Sequence, residues 1–180
     1  YNDAFLRKGL AYILMSENDS AEAMLAQARK LYPDNSKLLK YTEVLGNRWY
    51  SRGVEARKSF LAALERRDLD LARALVRQAI DLNRRAVAID PRHHAAWSEL
   101  GGLYGEAARF DSAYHAFEPA TRLYPDHEPY WYGLGISYLR GNRPDLAIAP
   151  LERAIRLDGS NPQAKAALED ARRRTSSPRP

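Results

Sequence analysis

Cysteine is absent from the 180 residues. That excludes disulfides and thiolate metal sites, and leaves both cytoplasm and periplasm open as compartments. Histidine is scarce: His93, His94, His115 and His127 are the only four. They form no His-Glu-x-x-His pattern and gather no carboxylates, so solvated turns are expected rather than a metal centre. There is no Gly-x-Ser-x-Gly elbow, no glycine-rich phosphate loop and no dinucleotide fingerprint. The Gly101-Gly102 and Gly105 cluster falls inside a helical stripe, where close helix packing explains it. Asp68 and Asp70 stand at a turn, where capping explains them. No apolar run approaches the roughly 18 residues of a membrane helix. These absences point away from an enzyme, a cofactor, a metal and a transmembrane segment. A start methionine is also missing. The chain therefore reads as an excised or processed segment, and its lack of a targeting signal carries no information.

Acidic charge is in modest deficit, giving a net +5. From Lys165 onward five basic residues face only Glu169 and Asp170, so this tail is +3 and residues 1–164 are +2. A solvated helix end is the expected role. Nucleic-acid binding through Arg172–Arg174 is the weakest of the functions considered and is not expected.

What the chain does have is a repeat. Trp97, Leu100, Gly101, Tyr104, Ala113 and Ala120 recur as Trp131, Leu134, Gly135, Tyr138, Ala147 and Ala154, every pair 34 residues apart. Each unit reads as two helices. Trp97, Leu100, Gly101 and Tyr104 fall on one helical face. Asp111 or Ser112 is suited to cap a second helix, which carries Ala113, Phe117 and Ala120. Pro125 stops it. In the next copy the turn is Gly141-Asn142-Arg143-Pro144, with Pro144 suited to a first helical turn. Small residues let the backbones approach, and large ones fill the space beside them.

This pattern resembles the tetratricopeptide repeat, whose places are filled by Trp97, Leu100-Gly101, Tyr104, Ala113, Phe117, Ala120 and Pro125. The following copy has Leu151 for the Phe and Gly159 where the Pro would stand. The resemblance implies an all-α fold, a right-handed α-solenoid of antiparallel helix pairs with a concave groove and no catalytic machinery. The N-terminal stretch is a sparser copy: Phe5, Gly9 and Tyr12, then Ala21, Leu25, Ala28 and Pro33, with Lys8 in place of the usual Leu. Asp19-Ser20-Ala21-Glu22 resembles a capping box.

The middle is enlarged. Pro33 and Pro91 are matching turn prolines 58 residues apart, which is one repeat and 24 residues more. Leu71 to Ile89 keeps helical spacing without Pro or Gly, so a helix of about 20 residues is expected there, and it needs an equally long partner. Gly46-Asn47 reads as a helix stop. The preferred reading is a short helix over 36–46 and a long pair over 48–67 and 70–90, with Gly53 tolerated inside the first. A kinked, continuous 36–67 is the alternative. The rest is regular: 94–108 with 111–124, 128–141 with 144–157, and a polar capping helix over 162–174 with Ala164, Leu168 and Ala171 inward. We thus expect one solenoid over 1–174, with repeats near 2–35, 36–93, 94–127 and 128–161, and a disordered tail over 175–180.

The inner wall of such an array comes from the first helix of each pair. Carrying that over places Leu6, Leu10 and Ile13, then Ser98, Glu99 and Gly102, then Tyr132, Ile136 and Leu139 along it. Tyr132 is a candidate anchor, since tyrosine offers rigid area at low entropic cost. One branch of the family grips chaperone-tail carboxylates with Lys, Asn and Arg at these places; here the clamp is missing. The expected function is a scaffold holding a peptide or helix of a partner protein in its groove. The alternatives are a self-assembling module, favoured by the uncapped first repeat, and a regulatory appendage of a larger enzyme. The Ala/Arg-rich composition alone suggests a bacterial source.

Overall fold

The computed structural model describes residues 4–176. Among these residues there are nine helices and no strand: α1 Ala4–Leu14, α2 Asn18–Leu31, α3 Ser36–Glu65, α4 Leu69–Ile89, α5 His94–Glu106, α6 Phe110–Leu123, α7 Glu128–Arg140, α8 Pro144–Leu157 and α9 Pro162–Ser176. The backbone gathers into two compact units, the first ending at His93 and the second beginning at His94.

Four antiparallel hairpins share one turn. Ser16, Arg67, Ala108 and Asn142 each stand two residues before a second helix, and each is left-handed, with φ of 62, 59, 55 and 58°. The next residue's N–H reaches back five positions: Glu17 to the Tyr12 carbonyl, Asp68 to Ala63, Arg109 to Tyr104 and Arg143 to Tyr138, at 2.8–3.0 Å. This bond satisfies a carbonyl that the helix end leaves orphaned. A non-glycine residue there costs roughly 1–2 kcal/mol of steric strain, which the packing of the two helices must offset.

Packing in the short hairpins follows one register. Gly9 faces Leu25, Gly101 faces Phe117 and Gly135 faces Leu151, in each case 16 residues further on. A Cβ on these glycines would stand only 2.7, 2.6 and 2.5 Å from the facing side chain. The glycines are therefore sites of close backbone approach.

In the first unit the 24 surplus residues enlarge both arms of one hairpin. Helix α3 has 30 residues where α5 has 13, and α4 has 21 where α6 has 14, so the surplus divides 17 and 7. Helix α3 is continuous, which overturns the expected break at Gly46-Asn47. Gly46 is buried, and a Cβ there would meet the Asp90 Cβ at 2.9 Å. Gly53 lies against the Asn83 side chain in the same way. The two glycines are seven residues apart, as are Asn83 and Asp90, so the long pair repeats its contact every two turns, as interlocking antiparallel helices do. Trp49 is 1% exposed. The guanidinium of Arg85 lies 3.7 Å from its ring centroid and that of Arg52 4.7 Å away.

Two expected caps are not formed. The Asp19–Glu22 stretch makes no capping box; Glu17 precedes α2 without a side-chain cap, and Asp19 and Glu22 instead accept from Arg85 of α4. Helix α6 begins at Phe110, so neither Asp111 nor Ser112 caps it. Asp68 does cap α4, accepting from the Leu71 N–H at 3.0 Å. Arginines from neighbouring helices serve other ends: Arg48 donates to the Ile13 carbonyl at 2.6 Å, and Arg29 to the carbonyls of Ala88 and Ile89.

The second unit is a short α-solenoid. Phe117 of α6 is wedged between Gly101 of α5 and Gly133 of α7, either of which would strike the ring with a Cβ. Helix α9 closes the unit with Ala164, Ala167, Leu168 and Ala171 buried. It runs to Ser176, so Thr175, expected in a disordered tail, is helical; its hydroxyl donates to the Ala171 and Arg172 carbonyls. The remaining tail positions, 177–180, lie outside the described residues.

Candidate functional site

The nine groove candidates fall on three helices in two units. On α1, Leu6 and Ile13 are 1% and 3% exposed and Leu10 is half-buried. The first two fill the core between α1 and its neighbours and offer no area to a guest. On α5, Ser98, Glu99 and Gly102 are half-buried. On α7, Tyr132 and Ile136 are half-buried and pack at the edge of a cluster made by Leu139, Ala147, Leu151, Ala167, Leu168 and Ala171. Leu139 is itself inside that cluster. Of the candidates, the second unit thus leaves partly open Tyr132 and Ile136, one helical turn apart on α7, and Ser98, Glu99 and Gly102 on α5. Gly105 continues that α5 face, three residues beyond Gly102. A Cβ added to it would meet nothing within 4 Å.

Charge at this end is organised by α9. Asp170 pairs with Arg173 and Arg174, each at 2.6 Å. The Arg173 hydrogen bond, more than any other cause, holds the Asp170 carboxyl below the usual carboxylate range. Arg172 pairs with Glu152 at 2.8 Å. On the other side of α7, Tyr138 donates to Glu118 at 2.8 Å. Burial, reinforced by that carboxylate, pushes its phenol up to about 12.

Three of the four histidines are less solvated than expected, while His115 is exposed. His94 stacks on Tyr124 at 4.9 Å, and its Nδ1 lies 2.8 Å from the Tyr130 hydroxyl. His127 meets the edge of Tyr130 at 4.3 Å. His93, in the first unit, contacts Asn47 and Tyr50. Adjacent aromatic residues at the turns, Tyr124 and Tyr130 among them, were the signal for this packing. Among the described residues no group of three or more His, Asp or Glu could hold a metal, and no helix is long and apolar enough to cross a membrane.

Two family models described as tetratricopeptide repeat match residues 3–35 and 100–162, together more than half of the chain. The chain belongs to the tetratricopeptide-repeat family. This tetratricopeptide-repeat chain is similar to the peroxisomal targeting signal receptor of Saccharomyces cerevisiae, 25% identical over 91% of the chain and 30% of the relative. It is similar also to the type IV pilus assembly protein PilF of Pseudomonas aeruginosa, 22% identical over 93% of the chain and 58% of the relative. It thus spans less than two thirds of either. Among solved structures, the first tetratricopeptide domain of Spaghetti (RPAP3), bound to the HSP90 peptide SRMEEVD, superposes with a TM-score of 0.55. That match covers 67% of this chain and 95% of the domain at 18% identity, and it speaks to the fold.

Proposed function

We propose that this chain is a protein-interaction scaffold that holds an apolar peptide or helix of a partner protein against the first helices of its pairs, with α5 and α7 of the second unit making the contact. The observation that carries this reading is the pairing of Tyr132 and Ile136, apolar and half-exposed one turn apart, with an α5 face whose Ser98, Gly102 and Gly105 are small and whose one charged member is Glu99. Small residues on one helix and large apolar ones on the next make a shallow trough that a side chain can enter, and apolar area is what such a trough recognises. A similar domain solved with a bound peptide supports peptide binding as the mode. The chemistry differs, however. An acidic tail such as SRMEEVD needs cationic and amide donors on the inner wall. Leu, Ile, Ser, Glu, Gly and Tyr stand at those places here, none of them a cationic or amide donor.

Peptide display on the protein tests this directly. Selected peptides should be apolar and helical or extended, and SRMEEVD should not bind. Tyr132→Glu and Ile136→Glu should each abolish binding of a selected peptide while circular dichroism shows unchanged helix content. Peptides that bind both variants as tightly as the parent chain would show that this face is not the site.

A further inference from the structure

We propose that the face of α3 bordering α1 is a second docking surface, shaped for a partner helix with acidic residues at both ends of an apolar centre. The break expected at Gly46-Asn47 would put 36–46 and 48–67 on separate axes. Because α3 is instead continuous, Lys37, Lys40, Tyr41, Val44, Arg48 and Arg52 fall on one face, at helical spacing. Leu38, Thr42, Leu45, Trp49 and Gly53 form the buried face beside it. Arg48 reaches the Ile13 carbonyl, which sets this stripe against the end of α1. There Leu14, next to Ile13, is 75% exposed.

Charge on the stripe itself selects the occupant. Lys37 with Lys40 and Arg48 with Arg52 make two cationic pairs, their centres about 17 Å apart along the helix. Between them lie Tyr41, half-buried, and Val44, 39% exposed. Arg48 donates to the Ile13 carbonyl and the Asn18 amide oxygen, and Arg52 lies over the Trp49 ring. None of these partners is charged, so both arginines keep their charge. With Ser16, Asn18, Asn47 and Ser51 they line a notch of about 320 Å³ in which they are the charged members. Acids bound the stripe rather than interrupt it. Asp34 precedes it, Glu55 follows it and pairs with Lys58, and Glu17 and Asp19 line the adjoining hollow, where Asp19 pairs with Arg85. Glu43 falls about 120° round the helix from Lys37. A second copy laid stripe to stripe would oppose like charges. A DNA backbone would gain nothing from Tyr41 and Val44, and would run on into Glu17, Asp19 and Glu55. A helix of about 15 residues meets both cationic pairs at once. A short tail such as SRMEEVD, its acids gathered at one end, reaches one pair only, and a single exposed pair adds little.

The probe is a labelled, alanine-rich synthetic helix of about 20 residues, with leucines at its centre and two glutamates toward each end. It is titrated by fluorescence anisotropy beside two controls, one with lysines for the glutamates and one with all four glutamates at one end. The probe should bind, the lysine helix should not, and the one-ended helix should bind several-fold more weakly. Lys40→Glu with Arg52→Glu should weaken binding of the probe by about tenfold or more, with helix content unchanged by circular dichroism. Arg66→Glu with Arg73→Glu makes the same change in net charge away from the stripe and should leave binding unchanged. Val44→Asp should weaken it, raising the salt should weaken it several-fold, and Tyr132→Glu should leave it unchanged, which separates this face from α5–α7. No binding of the probe, equal binding of either control, or equal losses from the two charge reversals would overturn the proposal. A DNA duplex that displaces the probe and is itself lost with Lys40→Glu and Arg52→Glu would assign the stripe to nucleic acid instead.

Discussion

In the α5–α6 hairpin a phenyl ring on the second helix fills the space over a glycine on the first. At the matching distance from the turn, the α3–α4 hairpin exchanges the places: Phe60 stands on the first helix, with Val76 packed against its cluster. Seven and fourteen residues further from the turn the glycines return, Gly53 against Asn83 and Gly46 against Asp90. The short pairs thus use one close approach, and the long pair uses two, placed away from its tip. Two helices can be lengthened by whole heptads without changing which faces meet, because the contact recurs every seven residues. The difference between the hairpins lies in where a glycine lets the backbones close up: beside the turn in the short ones, remote from it in the long one.

The largest expected effect tests that difference. Phe117 touches glycines on two helices, so Phe117→Ala should cost about 3–5 kcal/mol, the range for a buried phenylalanine that leaves a cavity. Phe60 belongs to a cluster of three buried residues bordered by exposed leucines, which can collapse into the gap. Phe60→Ala should therefore cost less, at the low end of that range, about 3 kcal/mol. Guanidinium unfolding of both variants measures this, and equal losses would mean that the hairpin tip is packed as firmly as the second unit.

A smaller effect concerns Asn83. It is fully buried; its amide donates to the Ala79 carbonyl at 2.9 Å, and its Oδ1 is buried without a partner. A buried acceptor left unsatisfied costs about 1–3 kcal/mol. Asn83→Leu, close in shape, should therefore stabilise the protein by about 1 kcal/mol. Gly53→Ala should destabilise it by about 1–3 kcal/mol, because the new methyl strikes the Asn83 amide. Combined with Asn83→Ala, the glycine substitution should lose most of its cost. Simple additivity in that cycle would show that the two residues do not share one space.

The same residues show what could be read from the sequence. The 34-residue period, the helix pairs and the small-over-large packing were legible, because Gly101 with Phe117 and Gly135 with Leu151 stand at one fixed offset. The break expected at Gly46 was not real. Glycine signals both a helix end and a close approach, and only the facing residue, Asp90, decides between them. The four true hairpin ends carry Ser16, Arg67, Ala108 and Asn142 in the left-handed position, so the ends that form lack the residue that usually marks them. Asp19 and Glu22 looked like caps because their spacing is local. Their actual partner, Arg85, is more than 60 residues away and joins them only after folding. The groove candidates, carried over from the family resemblance, mix Leu6, Ile13 and Leu139, which fill cores, with Tyr132 and Ile136, which stay half-exposed, because a place on a helix face does not by itself fix burial.

The smallest effect lies within the second unit, where two tyrosines hold equivalent places with different neighbours. Tyr104 lies under the Arg109 guanidinium, 4.8 Å from its ring centroid, whereas Tyr138 is hydrogen-bonded to the Glu118 carboxylate. Burial and that carboxylate raise the Tyr138 phenol from the ordinary 10 to about 12. Ionising it would place a second negative charge beside the first in a partly dehydrated position. A group whose folded value is raised contributes stability that is complete below its unfolded value and is lost as pH climbs through the folded one. Between pH 10 and 12 the unfolded chain gives up this proton while the folded chain keeps it, so unfolding becomes easier across that window. Absorbance at 295 nm should show Tyr138 ionising late, with Tyr114, stacked on it and raised by burial, also delayed; Tyr138→Phe should remove one late proton and lessen the alkaline loss of stability. Glu118→Gln should move the late step back toward 10 without abolishing it, because burial, the larger cause, persists. A titration unchanged by either substitution would place the perturbed phenol elsewhere and remove the distinction drawn between the two tyrosines.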